Sequence, residues 1–234
     1  MIVLAIDTAT TDLVAGLVEV GDSGQRGSTP RTLAQRVVST RSHNELLVPT
    51  VMELLGEAGR EFGDLGAIVV GCGPGPFTGL RVGMATASAF GQALGIPVYG
   101  VCTHDAVAAQ IGSDALVVTD ARRREVYWAQ YRSGTRTAGP DVIAPAALEV
   151  ETPVGVLSVP ENLREQLTPE LATSAETVSY IAPLPAGLVA VTDLAADPEP
   201  LVPLYLRRPD AKEPAPKPKS PAIPDVAGLA AEGE

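Results

Sequence analysis

Cysteine and histidine are nearly missing from this 234-residue chain, which has two of each: Cys72, Cys102, His43 and His104. Two thiols cannot build a disulfide framework, and neither sits in a CxxC or Cys/His spacing, so a zinc cluster is excluded and two reduced, buried thiols are expected. No HxxxH or HExxH pair exists to hold a catalytic metal, and each histidine stands alone near a helix start, where capping or surface roles fit. Long apolar runs are lacking too, for nothing approaches the ~18 residues that a membrane span needs. Met1 leads directly into IVLAID, without a basic region or a small-residue cleavage site, and the expected location is the cytoplasm. Positive charge is also scarce. With 17 Lys and Arg against 28 Asp and Glu the formal net charge is −11, which repels a polyanion, so any RNA role is expected to be indirect.

What remains is the composition of a protein with a real core, 45% apolar, long enough for one large domain or two small ones. Three strand-like runs come first: IVLAID (Ile2 to Asp7), LVAGLVEV (Leu13 to Val20) and TLAQRVV (Thr32 to Val38). Helix and strand signals then alternate, with a helix after Ser42, a strand from Ala67 to Gly71, a helix after Phe77, a strand at PVYGV and a helix at THDAVAAQI. The order βββαβαβα predicts a mixed sheet with helices on its faces, as in an RNase H-like unit. IDTATTDLVAGLV from Ile6 also lines up with TDARRREVYWAQY from Thr119 at a constant offset of 113 residues, matching Asp7 to Asp120 and Asp12 to Glu125. A duplicated β-hairpin opening two related domains leaves such a trace; chance likeness between hairpins is the alternative. The expected division is an N-terminal domain over residues 1–112, a reduced C-terminal one over 113–208, and a disordered Pro-rich tail over 209–234. That tail, containing PAPKP and KSPAIP, cannot bury enough to fold alone; a solvated extension is expected, and a polyproline peptide ligand is the alternative.

The stretch GCGPGPFTGLRVGMATASAFGQALG, from Gly71 to Gly95, carries seven glycines and two prolines and then reads as an apolar helix. Its turn resembles a phosphate loop only weakly, for it lacks GxxxxGK[ST] and the GxGxxG spacing, although amides at a helix start can bind an anion. Gly73 and Gly75 are therefore candidate anion contacts. In the helix, Arg81, Ser88 and Gln92 fall within about 40° of one another, so most of the circumference must be hidden. Gly79, Gly83, Ala87, Gly91 and Gly95 recur every fourth residue, a ridge that lets another backbone approach closely. The preceding helix opens on SHNE, a capping-box pattern at Ser42, and has a core stripe of Leu47, Val51, Leu54, Leu55 and Ala58. Leu46, Val48 and Met52 lie partly off that stripe. Intrachain packing of the two helices and an intermolecular surface both remain open, and the second makes Leu46, Val48, Met52, Gly79, Gly83, Ala87 and Gly91 the candidate partner interface. Asp7 ends the first strand, where actin- or hexokinase-like folds often put a metal-associated carboxylate, yet the turn after it is TATT rather than a glycine-bearing phosphate hairpin. Asp7 is thus a candidate nucleotide contact or a structural aspartate. The consecutive Arg122, Arg123 and Arg124 can meet phosphate or carboxylate, or form a solvated turn.

IDTATTDLVAGLV, RSHNELLVPTVMELL, GCGPGPFTGLRVG, DARRREVYW and PLYLRRPDA, spread over residues 2 to 210, together closely resemble the TsaB (YeaZ) family. Pro76 departs from it, since the family more often has serine there. The resemblance implies an ASKHA-type (actin/hexokinase-like) α/β fold of duplicated RNase H-like domains, the second reduced. It implies a noncatalytic partner of TsaD in making threonylcarbamoyladenosine in tRNA, with a TsaE-like ATPase as a further partner. It also implies no cofactor on the isolated chain, and ATP or ADP and a TsaD-bound metal in the complex, while pairing of two copies of this chain as a homodimer in the absence of TsaD is left open. The competing readings are an ASKHA enzyme in its own right, either a small-molecule kinase or a glycoprotease-like metal hydrolase, and a self-contained homodimeric binding protein.

Overall fold

The computed structural model describes residues 1–21 and 30–207; the expected tail, 209–234, lies outside the described residues. Strand β1 (Ile2–Asp7) is buried at all six positions, as a central strand covered on both faces must be, and this explains its unbroken apolar run. It pairs antiparallel with β2 (Asp12–Glu19), which pairs antiparallel with β3 (Arg31–Ser39). Helix α1 (His43–Glu57) follows, then β4 (Leu65–Gly71), α2 (Phe77–Leu94), β5 (Val98–Val101) and α3 (Thr103–Ile111). β4 runs parallel to β1 and β5 parallel to β4, giving the order β3-β2-β1-β4-β5.

The second sheet repeats this plan. Strands β6 (Ala115–Arg122), β7 (Glu125–Arg132) and β8 (Thr135–Ile143) form the antiparallel part, and β9 (Val154–Ser158) and β10 (Ala175–Ser179) the parallel part. Read from its far edge, the order β8-β7-β6-β9-β10 matches that of the first sheet. The hairpin expected from the 113-residue offset is therefore present in both halves, with Asp7 opposite Val14 and Asp120 opposite Val126. The helices of the second half are shorter: α4 (Glu161–Arg164), α5 (Pro169–Ser174) and α6 (Pro185–Ala190).

Four apolar clusters hold these layers. On one face of the first sheet, Leu4, Ile6, Leu13 and Ile68 pack with Leu47, Val51 and Leu54 of α1 and Leu80 of α2. On the other face, Val3, Ala5 and Val69 meet Ala106 of α3 and Leu188 of α6. Val107 and Ala108 of α3 turn to Val117, Ala129 and Tyr131 of the second sheet. α3 is thus a wedge shared by both sheets. The far side of the second sheet closes on Leu163 and Leu171. Residues 192–207 then return as a strap over the first half, where Leu201 joins its core and the Leu204 N–H donates to the Cys72 carbonyl at 2.9 Å.

Three local expectations need correction. Ser42 makes no side-chain cap: its backbone (φ −105°, ψ 46°) lies outside the extended region from which a cap hydroxyl faces the first turn, and its N–H instead donates to Thr40 Oγ1 at 3.0 Å. His104 is neither a cap nor a surface group but fully buried, because the second sheet closes over α3. Ala85, Ala89 and Ala93 are exposed, so the helix after Phe77 hides less of its circumference than its composition suggests. Cys72 and Cys102 are free and follow the neighbouring strands β4 and β5, but only Cys72 is buried as expected, Cys102 being partly exposed; desolvation pushes both pKa values up to about 11.

Candidate functional site

Two places could carry function: the end of β1, which holds the candidate carboxylate Asp7, and the outer face of α1 and α2. At the first, Asp7 is fully buried. Its Oδ1 accepts the Ala9 N–H at 2.8 Å and its Oδ2 the Thr103 hydroxyl at 2.7 Å, while a side chain at Gly71 would collide with the same carboxylate. Burial outweighs those two bonds and raises Asp7 from 3.8 to about 6. A hard cation needs several free oxygens. Each Asp7 oxygen accepts one internal bond, and the described residues hold no group of three or more metal-ligating side chains, so Asp7 has no companion carboxylate or imidazole with which to hold a hard cation.

The β1–β2 turn is plugged as well. The Gly73 N–H donates to Thr103 Oγ1 at 3.3 Å, and its carbonyl accepts the Thr103 N–H at 2.7 Å. Gly75 lies so close to the Ala9 carbonyl that any Cβ would overlap it, and its own carbonyl faces the Tyr127 hydroxyl at 3.5 Å. The Thr8 hydroxyl reaches into the first turns of α2, donating to the Gly79 carbonyl at 2.7 Å and accepting the Gly83 N–H at 3.1 Å. Of the candidate nucleotide or anion contacts, Asp7 and Gly73 are therefore engaged in internal bonds, and Gly75 is buried against the Ala9 carbonyl. Of that group only Arg122 is exposed.

The seam between the halves is equally closed. His104 Nε2 meets Thr119 Oγ1 at 2.9 Å, its Nδ1 has no partner among the described residues, and desolvation drops its pKa to about 3, so the ring is neutral. The Tyr180 hydroxyl donates to Asp12 Oδ2 at 2.6 Å and the Tyr131 hydroxyl to Asp105 Oδ1 at 2.8 Å, each tying the second half to the first.

The outer face differs. Val48 and Met52, four residues apart, project from one flank of α1 with 39 and 59% of their surface exposed, and Leu46 from the opposite flank with 37%, while Leu47, Val51 and Leu54 between them are buried. α2, in contact with α1, turns Arg81, Ala85, Ser88, Ala89 and Gln92 outward. The small-residue ridge of α2 does not belong to this face. A Cβ at Gly79 would strike the Thr8 carbonyl, one at Gly83 the Thr8 hydroxyl and one at Gly91 the Val98 side chain, and Ala87 is fully buried. Gly79, Gly83, Ala87 and Gly91, expected at the partner interface, instead seat α2 on its own sheet, because that ridge is where the helix axis can come closest to β1, β4 and β5.

Sequence reasoning missed a cluster at the edge of this face. Phe77, half exposed, stacks on Tyr205 of the strap at 5.1 Å, with the Arg81 guanidinium 3.7 Å from the Phe77 ring centre and its Nε donating to the Tyr205 hydroxyl at 3.1 Å. PLYLRR is the only sequence signal for it, and nothing local in those residues points to a partner 124 positions away.

The sequence family described as TsaD, tRNA N6-adenosine threonylcarbamoyltransferase, matches residues 32–211. An uncharacterized Mycobacterium tuberculosis protein is 52% identical over 211 residues, covering 90% of this chain and 93% of its own. The Bacillus subtilis tRNA threonylcarbamoyladenosine biosynthesis protein TsaB is 30% identical over 230 residues, covering 91 and 96%. Among solved structures, YeaZ from Pseudomonas aeruginosa superposes with a TM-score of 0.67 at 24% identity over 88% of this chain and 99% of that one, a likeness of fold.

Proposed function

Because this chain belongs to the TsaB (YeaZ) family, and so to the biosynthesis of threonylcarbamoyladenosine in tRNA, we propose that it acts there as a noncatalytic partner subunit that binds a TsaD-like transferase through the outer face of α1 and α2. The observation that carries this reading is the pairing of a plugged cleft with an open apolar face. Asp7 and Gly73, which an enzyme of this fold would need at its centre, are spent on internal bonds, and Gly75 is packed against Ala9. Val48 and Met52 put neighbouring apolar side chains on the surface of α1, where a partner can cover them. Alanines and a serine on α2 beside them let a partner helix come close. The transferase supplies the metal and moves the threonylcarbamoyl group from its adenylate to adenosine 37, with a TsaE-like ATPase as the third component and ATP or ADP used by the complex. In its absence the same face pairs two copies of this chain.

The test is reconstitution. This chain, mixed with its TsaD, should form a complex and support modified adenosine, while alone it should turn over no ATP, hold no stoichiometric metal and modify no tRNA. Metal-dependent turnover by the purified chain would favour an enzyme instead, and failure to assemble with TsaD would remove the partner reading.

A further inference from the structure

The β6–β7 turn is used by neither the partner face nor the plugged cleft. Arg122, Arg123 and Arg124 are consecutive and exposed, and all three hold positive φ, at 59°, 53° and 62°. Arg123 and Arg124 are the two central residues of the hairpin turn, closed by Arg122 opposite Glu125. Asn-Gly meets such a turn without steric penalty, whereas three arginines hold it against one. Their side chains are what the position gains.

The surrounding charges leave the turn basic. Glu125 is bound by Arg207 of the strap, which also donates to the Ala121 carbonyl at 3.2 Å. Asp120 accepts the Arg122 N–H at 2.6 Å. Arg122, Arg124 and Arg207 thus face Asp120 and Glu125, and the side chains of Arg122 and Arg124 form no ion pair among the described residues. The net charge of −11 argues against RNA binding only if it acts at the contact. At physiological salt, charges more than ~8 Å away are largely screened, so the local excess governs what touches the turn.

We propose that the Arg122–Arg124 turn contacts backbone phosphates of the RNA substrate. This rests on the reading of the chain as a subunit of the tRNA-modifying assembly. Guanidinium forks match phosphate oxygens two at a time, and the two forks of Arg122 and Arg124 on one exposed turn suit a chain of phosphates better than a single carboxylate of a protein partner. The contact positions RNA and carries no sequence preference. It also revises the expectation that RNA meets this protein only indirectly.

The experiment compares the full-length wild type with Arg122→Gln/Arg124→Gln and Arg122→Lys/Arg124→Lys double variants. Binding of unmodified tRNA is followed through a salt series, for the chain alone starting at roughly 20 mM salt and for its complex with TsaD. Each phosphate contact adds about 0.7–0.9 to the log–log salt slope, so the Gln pair should lose about 1.4–1.8. Wild-type affinity should then fall about tenfold more than that of the Gln pair between roughly 50 and 200 mM salt. The Lys pair should keep most of the slope, and all three should bind TsaD alike. A Gln pair with wild-type slope and affinity overturns the proposal. If that pair instead loses TsaD binding, the turn is a protein contact. Wild-type protein that binds no RNA in either form overturns it too. Should TsaD binding fail for the wild type, the subunit reading falls while the series on the chain alone still reads the turn.

Discussion

Replacing Gly83 by alanine should destabilise the isolated chain, although alanine is the better helix former. A Cβ there has no room, because the Thr8 hydroxyl occupies its position and Val70 Cγ2 lies 3.6 Å away. Moving Thr8 aside endangers its bonds to Gly79 and Gly83, each worth about 0.5–1.5 kcal/mol net. Overpacking adds about 1–3 kcal/mol, and the gain in helix propensity returns about 1 kcal/mol. The expected loss is about 1–5 kcal/mol, and at about 2–4 °C per kcal/mol the melting temperature should drop by several degrees or more. Gly56 in α1 supplies the control: nothing lies within 4 Å of its added Cβ, so Gly56→Ala should raise stability by up to about 1 kcal/mol. Urea and thermal unfolding of both variants would measure the difference. If Gly83→Ala matches or exceeds the wild type, α2 is not seated on Thr8 and the inward placement of the ridge is wrong.

On the outer face, Val48→Asp with Met52→Asp should leave the unfolding midpoint of the chain nearly unchanged, since both side chains are already exposed, and weaken TsaD binding by tenfold or more; sedimentation or calorimetry reads this, and unaltered binding would remove those residues from the interface. The buried pair Asp7 and His104 should give opposing pH dependences. Asp7, raised from 3.8 to about 6, binds a proton in the folded state before the unfolded one does, so its contribution to stability falls as pH rises from 3.8 to 6. His104, lowered from 6.5 to about 3, binds its proton first in the unfolded state, so its contribution falls as pH drops from 6.5 to 3. The two slopes nearly cancel between pH 4 and 6 in the wild type, and Asp7→Asn should uncover the His104 slope as a steeper loss of stability on acidification. Urea midpoints at a series of pH values check this, and parallel curves for the two proteins would contradict it.

Much of the architecture is legible along the chain because its causes are local. The buried run IVLAID is a central strand, the bounds of THDAVAAQI are those of α3, and the 113-residue offset marks two hairpins that both exist. Leu46, Val48 and Met52 could be separated from the core stripe of α1 because that helix has a polar side to measure them against. α2 offers no such contrast. With small or apolar residues around most of its girth, its sequence is compatible with several orientations, and the contacts of Thr8 with Gly79 and Gly83, 71 and 75 residues away, selected one. Asp7 was ambiguous for the same reason: a carboxylate at a strand end becomes structural or reactive according to what faces it, and here Thr103 arrives from 96 positions along the chain. His104 looks like a helix-start residue until Thr119 and the second sheet close over it. Periodicity and turn chemistry act over a few residues and can be read from the sequence, whereas desolvation and close approach depend on groups brought together by the fold, so the tertiary structure decided which polar groups were spent and which face stayed open.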